Sequence, residues 1–249
     1  METEFPEKIL PKYMPQNREV EDIVTVSMNS EIDYHLTELE IARNPKSPLY
    51  VMPQFSKKDQ AILDIGCGIG QTLVASQLEE NKLLIGLDID LECCNFGRRQ
   101  FGHIKFVNGT AEHLPLQNSS FDFVICRVTL PYTNIPQSLA QIERVLKENG
   151  RVWFVLHPFS MWTTSLKRSM RKLEIKNILY QSYVIANGVF FHFFGRLFRW
   201  PLNKRYESFQ TESGIKECMK KIGFIEICVQ KGKHFVCTAR KGGITKRFT

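Results

Sequence analysis

The sequence predicts an α/β protein built on an open, doubly wound and mostly parallel sheet. From Ala61 onward, short apolar runs alternate with stretches of helical periodicity, and such alternation joins parallel strands through right-handed crossovers. The 249 residues, 43% of them hydrophobic, suit one medium domain with an elaboration. No stretch reaches the roughly 18 uncharged apolar residues of a spanning helix. In such a sheet, function is expected at the carboxyl ends of the strands.

The periodicity predicts seven strands, of which the last is antiparallel. Only Gln230-Lys231-Gly232 separates the final two strands, which is short enough for a hairpin. The predicted strands are Ala61–Ile65, Leu83–Asp88, Ile104–Asn108, Phe121–Cys126, Arg151–His157, Gly223–Val229 and Lys233–Ala239. The predicted helices between them are Gly70–Glu80, Leu91–Phe101, Ile135–Lys147 and Glu212–Lys221.

Three regions follow from the composition. Residues 1–55 are Pro-rich and form a lead-in or cap segment with one helical candidate, Ser30–Ala42. Residues 56–157 and 211–249 form the core. Residues 158–210 interrupt the alternation as a helical and aromatic insertion, which we expect to cover the acceptor site as a lid.

The insertion region is aromatic and basic. Residues 151–210 hold fourteen of the chain's twenty-eight aromatic residues, and ten Lys/Arg against two Asp/Glu. Three interpretations stay open: a helix that packs over the sheet, a lid whose aromatic face lines an apolar acceptor pocket, and a membrane-surface contact. A helix over Val189–Arg199 would separate two faces. One face holds Phe190, Phe191, Phe193, Phe194, Leu197 and Phe198, and the other holds His192, Arg196 and Arg199.

The N-terminus and the cysteines indicate the compartment. Met1-Glu2-Thr3-Glu4 lacks the basic start of a secretion signal, which favours a cytoplasmic location. The seven cysteines contain no C-x-x-C pair and are expected to be reduced core thiols. No cluster of carboxylate and His residues has the spacing of metal ligands, so no metal site is expected.

The glycines after the first strand predict a ligand loop. Gly66, Gly68 and Gly70 follow a strand and open a helix, where glycine lets the backbone turn sharply and approach a ligand. The spacing G-x-G-x-G differs from the dinucleotide pattern G-x-G-x-x-G, which disfavours NAD and FAD. A purely structural turn is the alternative.

Asp88 closes the second strand and is the candidate for ribose binding. Its carboxylate can accept hydrogen bonds from the 2′ and 3′ hydroxyls of a ribose. The alternative is a helix N-cap before Leu91, although Asp90 is also placed for that role.

The segment Ile62–Thr72 resembles the first motif of the class I S-adenosylmethionine-dependent methyltransferases. Asn108–Asp122 is similar to that family's third and fourth strand region, and Leu139–Leu156 to its fifth strand with the preceding helix. The resemblance covers about Ala61–His157 and Glu212–Arg240. It implies a Rossmann-like fold, S-adenosylmethionine as the cofactor and S-adenosylhomocysteine as the product, and it says little about the acceptor.

Carried over by position, the resemblance implies roles for individual residues. Ile89 and the turn Thr110-Ala111-Glu112 lie against the adenine, and Asp64 helps to receive the methionine amino group. Cys126 and Arg127 lie beside the methionine end; Arg127 departs from the small residues usual there, so its guanidinium either reaches the substrate or lies at the surface. The full predicted cofactor set is Asp64, Gly66, Cys67, Gly68, Gln71, Asp88, Ile89, Thr110, Ala111, Glu112, Cys126 and Arg127.

Methyl transfer from a sulfonium is an in-line displacement, so the protein mainly aligns the acceptor and excludes water. Tyr132 and His157 are the candidate bases, and His157 is favoured because an imidazole titrates near neutral pH. A structural histidine is the alternative. The predicted substrate contacts are Tyr34 and His35 in the lead-in helix and Phe159 and Trp162 in the insertion.

The acceptor is expected to be a small, partly apolar or aromatic molecule. The segment Cys126–Tyr132 lacks the Asn/Asp-Pro-Pro-Tyr motif that holds a flipped base, and no Pro-Cys nucleophile follows the fourth strand. Methylation of RNA or another nucleic acid therefore stays open but disfavoured. A non-catalytic S-adenosylmethionine-binding protein is the second alternative.

Overall fold

The computed structural model of the protein describes residues 31–79 and 81–243. Its centre is a seven-stranded sheet with the order β3-β2-β1-β4-β5-β7-β6. The strands are β1 (Ala61–Ile65), β2 (Leu83–Asp88), β3 (Lys105–Asn108), β4 (Phe121–Arg127), β5 (Leu146–Leu156), β6 (Phe224–Lys231) and β7 (Phe235–Lys241). The helices are α1 (Glu31–Arg43), α2 (Gln71–Ala75), α3 (Leu91–Gln100), α4 (Ile135–Val145), α5 (Phe159–Arg171), α6 (Ile175–Phe194) and α7 (Glu212–Ile222).

The strand pairing confirms the predicted sheet. β1 pairs in parallel with both β2 and β4, and β4 pairs in parallel with β5. β7 is antiparallel to both of its neighbours, β5 and β6. The strand order reverses direction between β1 and β4, and a crevice at the carboxyl ends of the strands is expected at such a point.

Helices cover both faces of the sheet, which explains why β1 is buried along its whole length. On one face, Leu139 and Ile142 of α4 join Met219 of α7 in the larger hydrophobic cluster. On the other face, Leu39 of α1 and Leu73 of α2 join the second cluster. The sheet is therefore the middle layer between two layers of helices. The carboxyl ends of its strands remain available for ligands.

Several predicted boundaries need correction. Helix α4 ends at Val145 and not at Lys147, because Leu146 already pairs with Phe121 as the first residue of β5. Helix α2 ends at Ala75 and not at Glu80; Gln77 with a φ of 46° turns the chain out of the helix. Gln230 and Lys231 belong to β6, so the hairpin turn follows them.

The predicted helix over Val189–Arg199 is wrong in its second half. Helix α6 ends at Phe194, where Gly195 adopts a φ of 64° as a left-handed C-cap. The predicted single aromatic face is also wrong, since Phe191 is buried whereas Phe193 and Phe194 are exposed. Arg196, Leu197, Phe198 and Arg199 lie beyond the helix.

Helix α1 confirms the predicted lead-in helix within the described residues. It begins at Glu31 and ends at Arg43, whereas Ser30 and the rest of residues 1–30 lie outside the described part, as do residues 244–249 of the predicted core. Leu39 and Ala42 bury one side of α1. The helix therefore packs on the second face of the core.

The seven cysteines are free thiols, and all except Cys228 are buried. Within residues 31–79 and 81–243, no helix is both long and apolar enough to cross a membrane. The same residues contain no group of three or more His, Cys, Asp or Glu side chains arranged to hold a metal ion.

Candidate cofactor and acceptor site

The glycine loop after β1 is tied to the end of β2 by backbone hydrogen bonds. The amides of Gly66 and Cys67 both donate to the carbonyl of Leu87, at 2.7 and 3.1 Å. The amide of Gly68 donates to Oδ2 of Asp88 at 2.7 Å. The loop and Asp88 therefore form one unit at the crevice.

Asp88 is not the N-cap of α3. Asp90 has that role, because its Oδ1 accepts from the amides of Glu92 at 2.7 Å and Cys93 at 3.0 Å. Asp88 accepts one backbone amide on each carboxylate oxygen, from Gly68 and from Asp90. A carboxylate has about four lone-pair sites, so two remain for ligand hydroxyls.

Glycine is required in the loop for two separate reasons. Gly66 and Gly68 have φ values of 71° and 54°, a region that other residues rarely adopt. A Cβ at Gly66 would stand 1.8 Å from Oγ1 of Thr129, and a Cβ at Gly68 would stand 2.3 Å from the ring of His35. Side chains from the β4 end and from α1 therefore pack directly on the loop.

A cavity of about 620 Å³ opens in front of this unit, and we call it the Asp88 cavity. Its floor is formed by the ends of β1, β2 and β4, and α1 lies along one side. Of the predicted cofactor set, the cavity brings together Gly66, Gln71, Asp88, Ile89, Thr110, Ala111, Glu112 and Arg127. Tyr34, His35 and Tyr132 also line it.

Four members of the predicted cofactor set do not line the cavity: Asp64, Cys67, Gly68 and Cys126. Gly68 is covered by His35, as its Cβ contact shows. Cys67 and Cys126 are buried, and burial raises the pKa of the Cys126 thiol to about 12. These two cysteines are therefore buried and do not line the Asp88 cavity.

Asp64 is the most unusual buried group of this region. Its side chain is 1% exposed, and neither carboxylate oxygen accepts a hydrogen bond of normal geometry within the described residues, although the Thr72 side chain lies close enough to lower its pKa. Burial raises its pKa to about 7, and the positive charge of Arg127 partly opposes that rise. An unsatisfied carboxylate behind the glycine loop is suited to interact with a nearby cation, directly or through water.

Arg127 forms an ion pair with Glu38 of α1, with 2.7 Å between Nη2 and Oε2. Its side chain is only 7% exposed, so the alternative of a surface arginine is wrong. The pair fastens α1 over the carboxyl end of β4. Both residues line the Asp88 cavity and also a second cavity.

The chain bends sharply after Arg127. Val128 has a φ of 66°, which is strained for a β-branched residue. The bend brings Thr129 onto the glycine loop and leads into a short 3₁₀ turn, Leu130–Tyr132. Tyr132 reaches the Asp88 cavity from this turn.

The second cavity, about 880 Å³, lies beyond the ends of β4 and β5, and we call it the His157 cavity. Tyr34, Glu38, Arg127 and Val128 line both cavities and so form their common wall. Further lining comes from the segment between α1 and β1, the end of β5, the starts of α5 and α7, and the turn between β6 and β7. It includes Leu49, Val51, Phe159, Met161, Lys231, Lys233 and His234.

His157 is held by its backbone and packed by aromatic rings. Its amide donates to Oε1 of Gln210 at 3.1 Å, and its ring centroid lies 5.3 Å from Tyr132 and 6.0 Å from Trp162. Its Nδ1 has no partner among the described residues. Burial lowers its pKa to about 4, so the imidazole is neutral at pH 7 but a weaker base than the sequence argument assumed.

The other predicted catalytic and substrate residues lie in different places. Burial raises the pKa of the Tyr132 hydroxyl, and nearby Glu207 raises it further, so Tyr132 stays protonated at neutral pH. Phe159 lines the His157 cavity. Trp162 lines neither cavity and packs behind His157 in a small cluster with Val184 and Phe209, so its predicted substrate contact stays a prediction.

The predicted aromatic lid lining is also absent from both cavities. None of the residues from Phe190 to Phe198 lines either cavity within the described chain. The rim of the Asp88 cavity is instead completed by the segment that follows, through Arg199, Lys204, Arg205 and Tyr206.

Three residues that line the Asp88 cavity were not predicted from the sequence: Glu38, Thr129 and Gln137. Glu38 lies four residues after Tyr34, and residues at that spacing share one face of a helix. The sequence could therefore have predicted that Glu38 lies at the site together with Tyr34. Thr129 and Gln137 carry no such signal, because their place depends on the bend at Val128.

Comparisons with known proteins agree with this geometry. A family profile described as a methyltransferase domain matches residues 63–154. A ubiquinone/menaquinone biosynthesis C-methyltransferase of Campylobacter jejuni is 29% identical over 149 residues, which cover 56% of this chain and 62% of that protein. The demethylmenaquinone methyltransferase of Lactococcus lactis is 27% identical over 201 residues, which cover 73% and 74%.

Among solved structures, an S-adenosylmethionine-dependent methyltransferase from Thermotoga maritima has the same fold, with a TM-score of 0.51 and 19% identity over 85% of this chain and 90% of that one. The fold and the site define a doubly wound protein with a nucleoside-type cofactor site. Residues 63–154 match the methyltransferase domain family, and the fold is that of the class I S-adenosylmethionine-dependent methyltransferases. The chain spans less than two thirds of the length of the Campylobacter relative.

The residues present fit the cofactor of this family, S-adenosylmethionine. Asp88 has free acceptor sites for ribose hydroxyls, and Ile89 and Ala111 offer apolar surface for an adenine. The unsatisfied carboxylate of Asp64 fits a cofactor that carries a positively charged amino group.

Proposed function

We propose that this protein transfers a methyl group from S-adenosylmethionine to a small, partly apolar or aromatic acceptor. The observation that carries the proposal is the common wall of the two cavities, formed by Tyr34, Glu38, Arg127 and Val128. The cofactor is assigned to the Asp88 cavity and the acceptor to the His157 cavity. The shared lining residues show that the two cavities adjoin, and ligands in adjoining cavities can approach each other as a direct transfer requires.

When bound, S-adenosylmethionine supplies an electrophilic methyl group on a positively charged sulfur. The chain's own part is to bind, orient and exclude water. Tyr34 and the Arg127–Glu38 pair cover the junction of the cavities, and they hold α1 in place over it. Excluding water there prevents competing reactions and strengthens the polar contacts that orient the acceptor.

His157 and Tyr132 are assigned to orientation of the acceptor. His157 is neutral above about pH 5 because burial lowers its pKa to about 4. Its imidazole belongs to a residue that lines the His157 cavity, where a ring nitrogen can exchange a hydrogen bond with an acceptor hydroxyl or carbonyl. The Tyr132 hydroxyl stays protonated and can donate. Their rings are in edge-to-face contact, so one residue fixes the position of the other.

The acceptor class is drawn from the lining and from the relatives. The His157 cavity combines Leu49, Val51, Phe159 and Met161 with the polar groups of Arg127 and His157. Such a lining suits a ring with oxygen substituents. The Campylobacter and Lactococcus proteins are named for methyl transfer in quinone biosynthesis, which makes a quinone-type ring carbon the first acceptor to test.

The test is an assay with labelled S-adenosylmethionine and a panel of reduced naphthoquinones, phenols and indoles, followed by mass identification of the product. We expect a methylated small molecule whose formation falls at least about tenfold in His157→Phe, because an unmatched polar contact to the acceptor costs about 1–3 kcal/mol. Asp90→Ala serves as a matched control outside both cavities. Cofactor binding without transfer to any acceptor would favour a non-catalytic binding protein, and transfer to RNA alone would overturn the acceptor class.

A further inference from the structure

Helix α6 carries an exposed apolar stripe along one side. The stripe consists of Ile175, Leu179, Ser182, Ala186, Val189 and Phe193, which recur at spacings of four and three residues and are all exposed. That spacing keeps them on one face of a helix. Ile175 and Phe193 are each 71% exposed, and Leu179 is 58% exposed.

The stripe is long and almost free of polar groups. Its ends lie about 27 Å apart at 1.5 Å per residue. Ser182 is its single polar member. Met170 and Leu173 extend the exposed apolar surface before the helix, Phe194 extends it at the last residue of the helix, and Phe198 and Leu202 extend it beyond. Contiguous exposed apolar surface of this extent marks an interaction site.

Both ends of the stripe carry exposed positive charge. Arg168, Arg171, Lys172 and Lys176 flank its start, with Glu174 as the single acid among them. Arg196, Arg199, Lys204 and Arg205 flank its end. The surface therefore combines an apolar strip with a basic cluster at each end.

The positive charges at both ends of the stripe distinguish between three possible partners: a second copy of the chain, nucleic acid and an anionic lipid surface. A second copy docked by two-fold symmetry would place like charges together in either orientation. An antiparallel pair of α6 helices would bring Lys172 and Lys176 to the partner's basic end, and a parallel pair would bring equal ends together. Nucleic acid satisfies the basic ends but not the aliphatic Ile175, Leu179 and Val189. An anionic lipid surface satisfies both features.

We propose that the α6 stripe and its basic flanks form a docking surface for an anionic phospholipid membrane, with α6 lying flat in the headgroup region. The exposed Phe193 and Leu179 insert beside the acyl chains, while the flanking Lys and Arg side chains contact lipid phosphates. Arg199, Lys204 and Arg205 also line the Asp88 cavity, so this surface borders the rim of the site.

The test is flotation of the full chain with vesicles of phosphatidylglycerol and phosphatidylcholine in equal parts, against vesicles of phosphatidylcholine alone. We expect the protein to float with the anionic vesicles only. Raising the salt to ~1 M, where the Debye length is about 3 Å, should release it.

Two variants separate the contributions. Replacing Leu179, Val189 and Phe193 with Ser should lower vesicle partitioning about hundredfold or more, because each of the three inserted side chains contributes about 1 kcal/mol or more. The variant K172E/K176E should lower partitioning about thirtyfold or more, since each Lys near an anionic surface contributes about 1 kcal/mol. These residues line neither cavity, so S-adenosylmethionine binding should be unchanged in both variants and reports that they are folded.

Matched controls lie elsewhere on the surface. Ile225→Ser on β6 removes an apolar side chain that is 45% exposed, and K57E/K58E reverses two exposed charges; both should float as the unchanged protein does. Failure to float with anionic vesicles would overturn the proposal. So would undiminished flotation of the Ser variant, or a dimer in light scattering that the Ser variant dissociates.

Discussion

The guanidinium of Arg127 and the carboxylate of Glu38 form a largely buried ion pair that joins β4 to α1 across both cavities. The two residues are separated by 89 positions in the chain. Since Arg127 is 7% exposed, its charge depends on Glu38 for compensation within the wall. The pair therefore holds α1 in its position beside the two cavities.

Glu38→Gln tests that link. Removing one partner of a buried pair leaves an uncompensated charge and costs about 3 kcal/mol or more when fully buried, and we expect about 2 kcal/mol here because Glu38 is 22% exposed. Proteolysis should then cleave within α1, and S-adenosylmethionine affinity should fall. Glu40→Gln on the same helix is the control and should change neither. Equal protection of α1 in both variants would contradict the role of the pair.

The glycine loop gives a second prediction. Gly66→Ala should destabilise the protein by about 1–2 kcal/mol from its left-handed backbone alone, and by more from contact with Thr129. Gly102→Ala is the control, since a Cβ there meets no atom within 4 Å. Thermal unfolding of the two variants measures the difference. Similar melting temperatures would show that the loop tolerates a side chain.

The raised pKa of the Asp64 carboxyl predicts that cofactor binding depends on pH. This pKa is about 7 because of burial, so near neutral pH a large fraction of the carboxyl is protonated. A cationic amino group binds the ionised form, so affinity should fall by up to about tenfold for each pH unit below 7 and level off above it. Calorimetry from pH 5.5 to 8.5 measures this profile, and Asp64→Asn should flatten it. An unchanged profile in Asp64→Asn would assign the pH dependence elsewhere.

His157 predicts a loss of stability in acid. Its pKa is lowered from 6.5 to about 4, so protonation favours the unfolded chain. The stability present above pH 6.5 should decrease as the pH falls toward 4, by about 3 kcal/mol at most. His157→Gln should remove that part of the decrease in denaturant titrations at successive pH values. An identical acid profile in the variant would mean that the pKa of His157 is not depressed.

The core of the fold was predictable because local patterns specify it. The strands Ala61–Ile65 and Leu83–Asp88 are confirmed at both ends, since each is a mostly apolar run bounded by turn residues. The glycine loop and Asp88 meet where the strand order predicts, because parallel strands end at the same edge. The role of Asp90 as the N-cap of α3 was likewise predictable, because Asp90 directly precedes Leu91.

The remaining features depend on contacts distant in sequence. Phe191 and Phe193 stand about 200° apart around a helix, so they face opposite sides of α6. Gly195 then ends the helix, and of these two rings the neighbouring chain covers only Phe191. Trp162 is buried by elements that the local pattern does not reveal. The depressed pKa of His157 has the same origin, because burial, and not residue type, sets its direction.

The most direct test of the account is calorimetric binding of S-adenosylmethionine to Asp88→Ala and Asp90→Ala. Asp88→Ala should weaken binding by about ten- to hundredfold, because hydrogen bonds to a charged group contribute about 1.5–3 kcal/mol. Asp90→Ala should bind as the unchanged protein does while losing about 1 kcal/mol of stability as a missing helix cap. Undiminished binding to Asp88→Ala would contradict the assignment of the cofactor to this cavity.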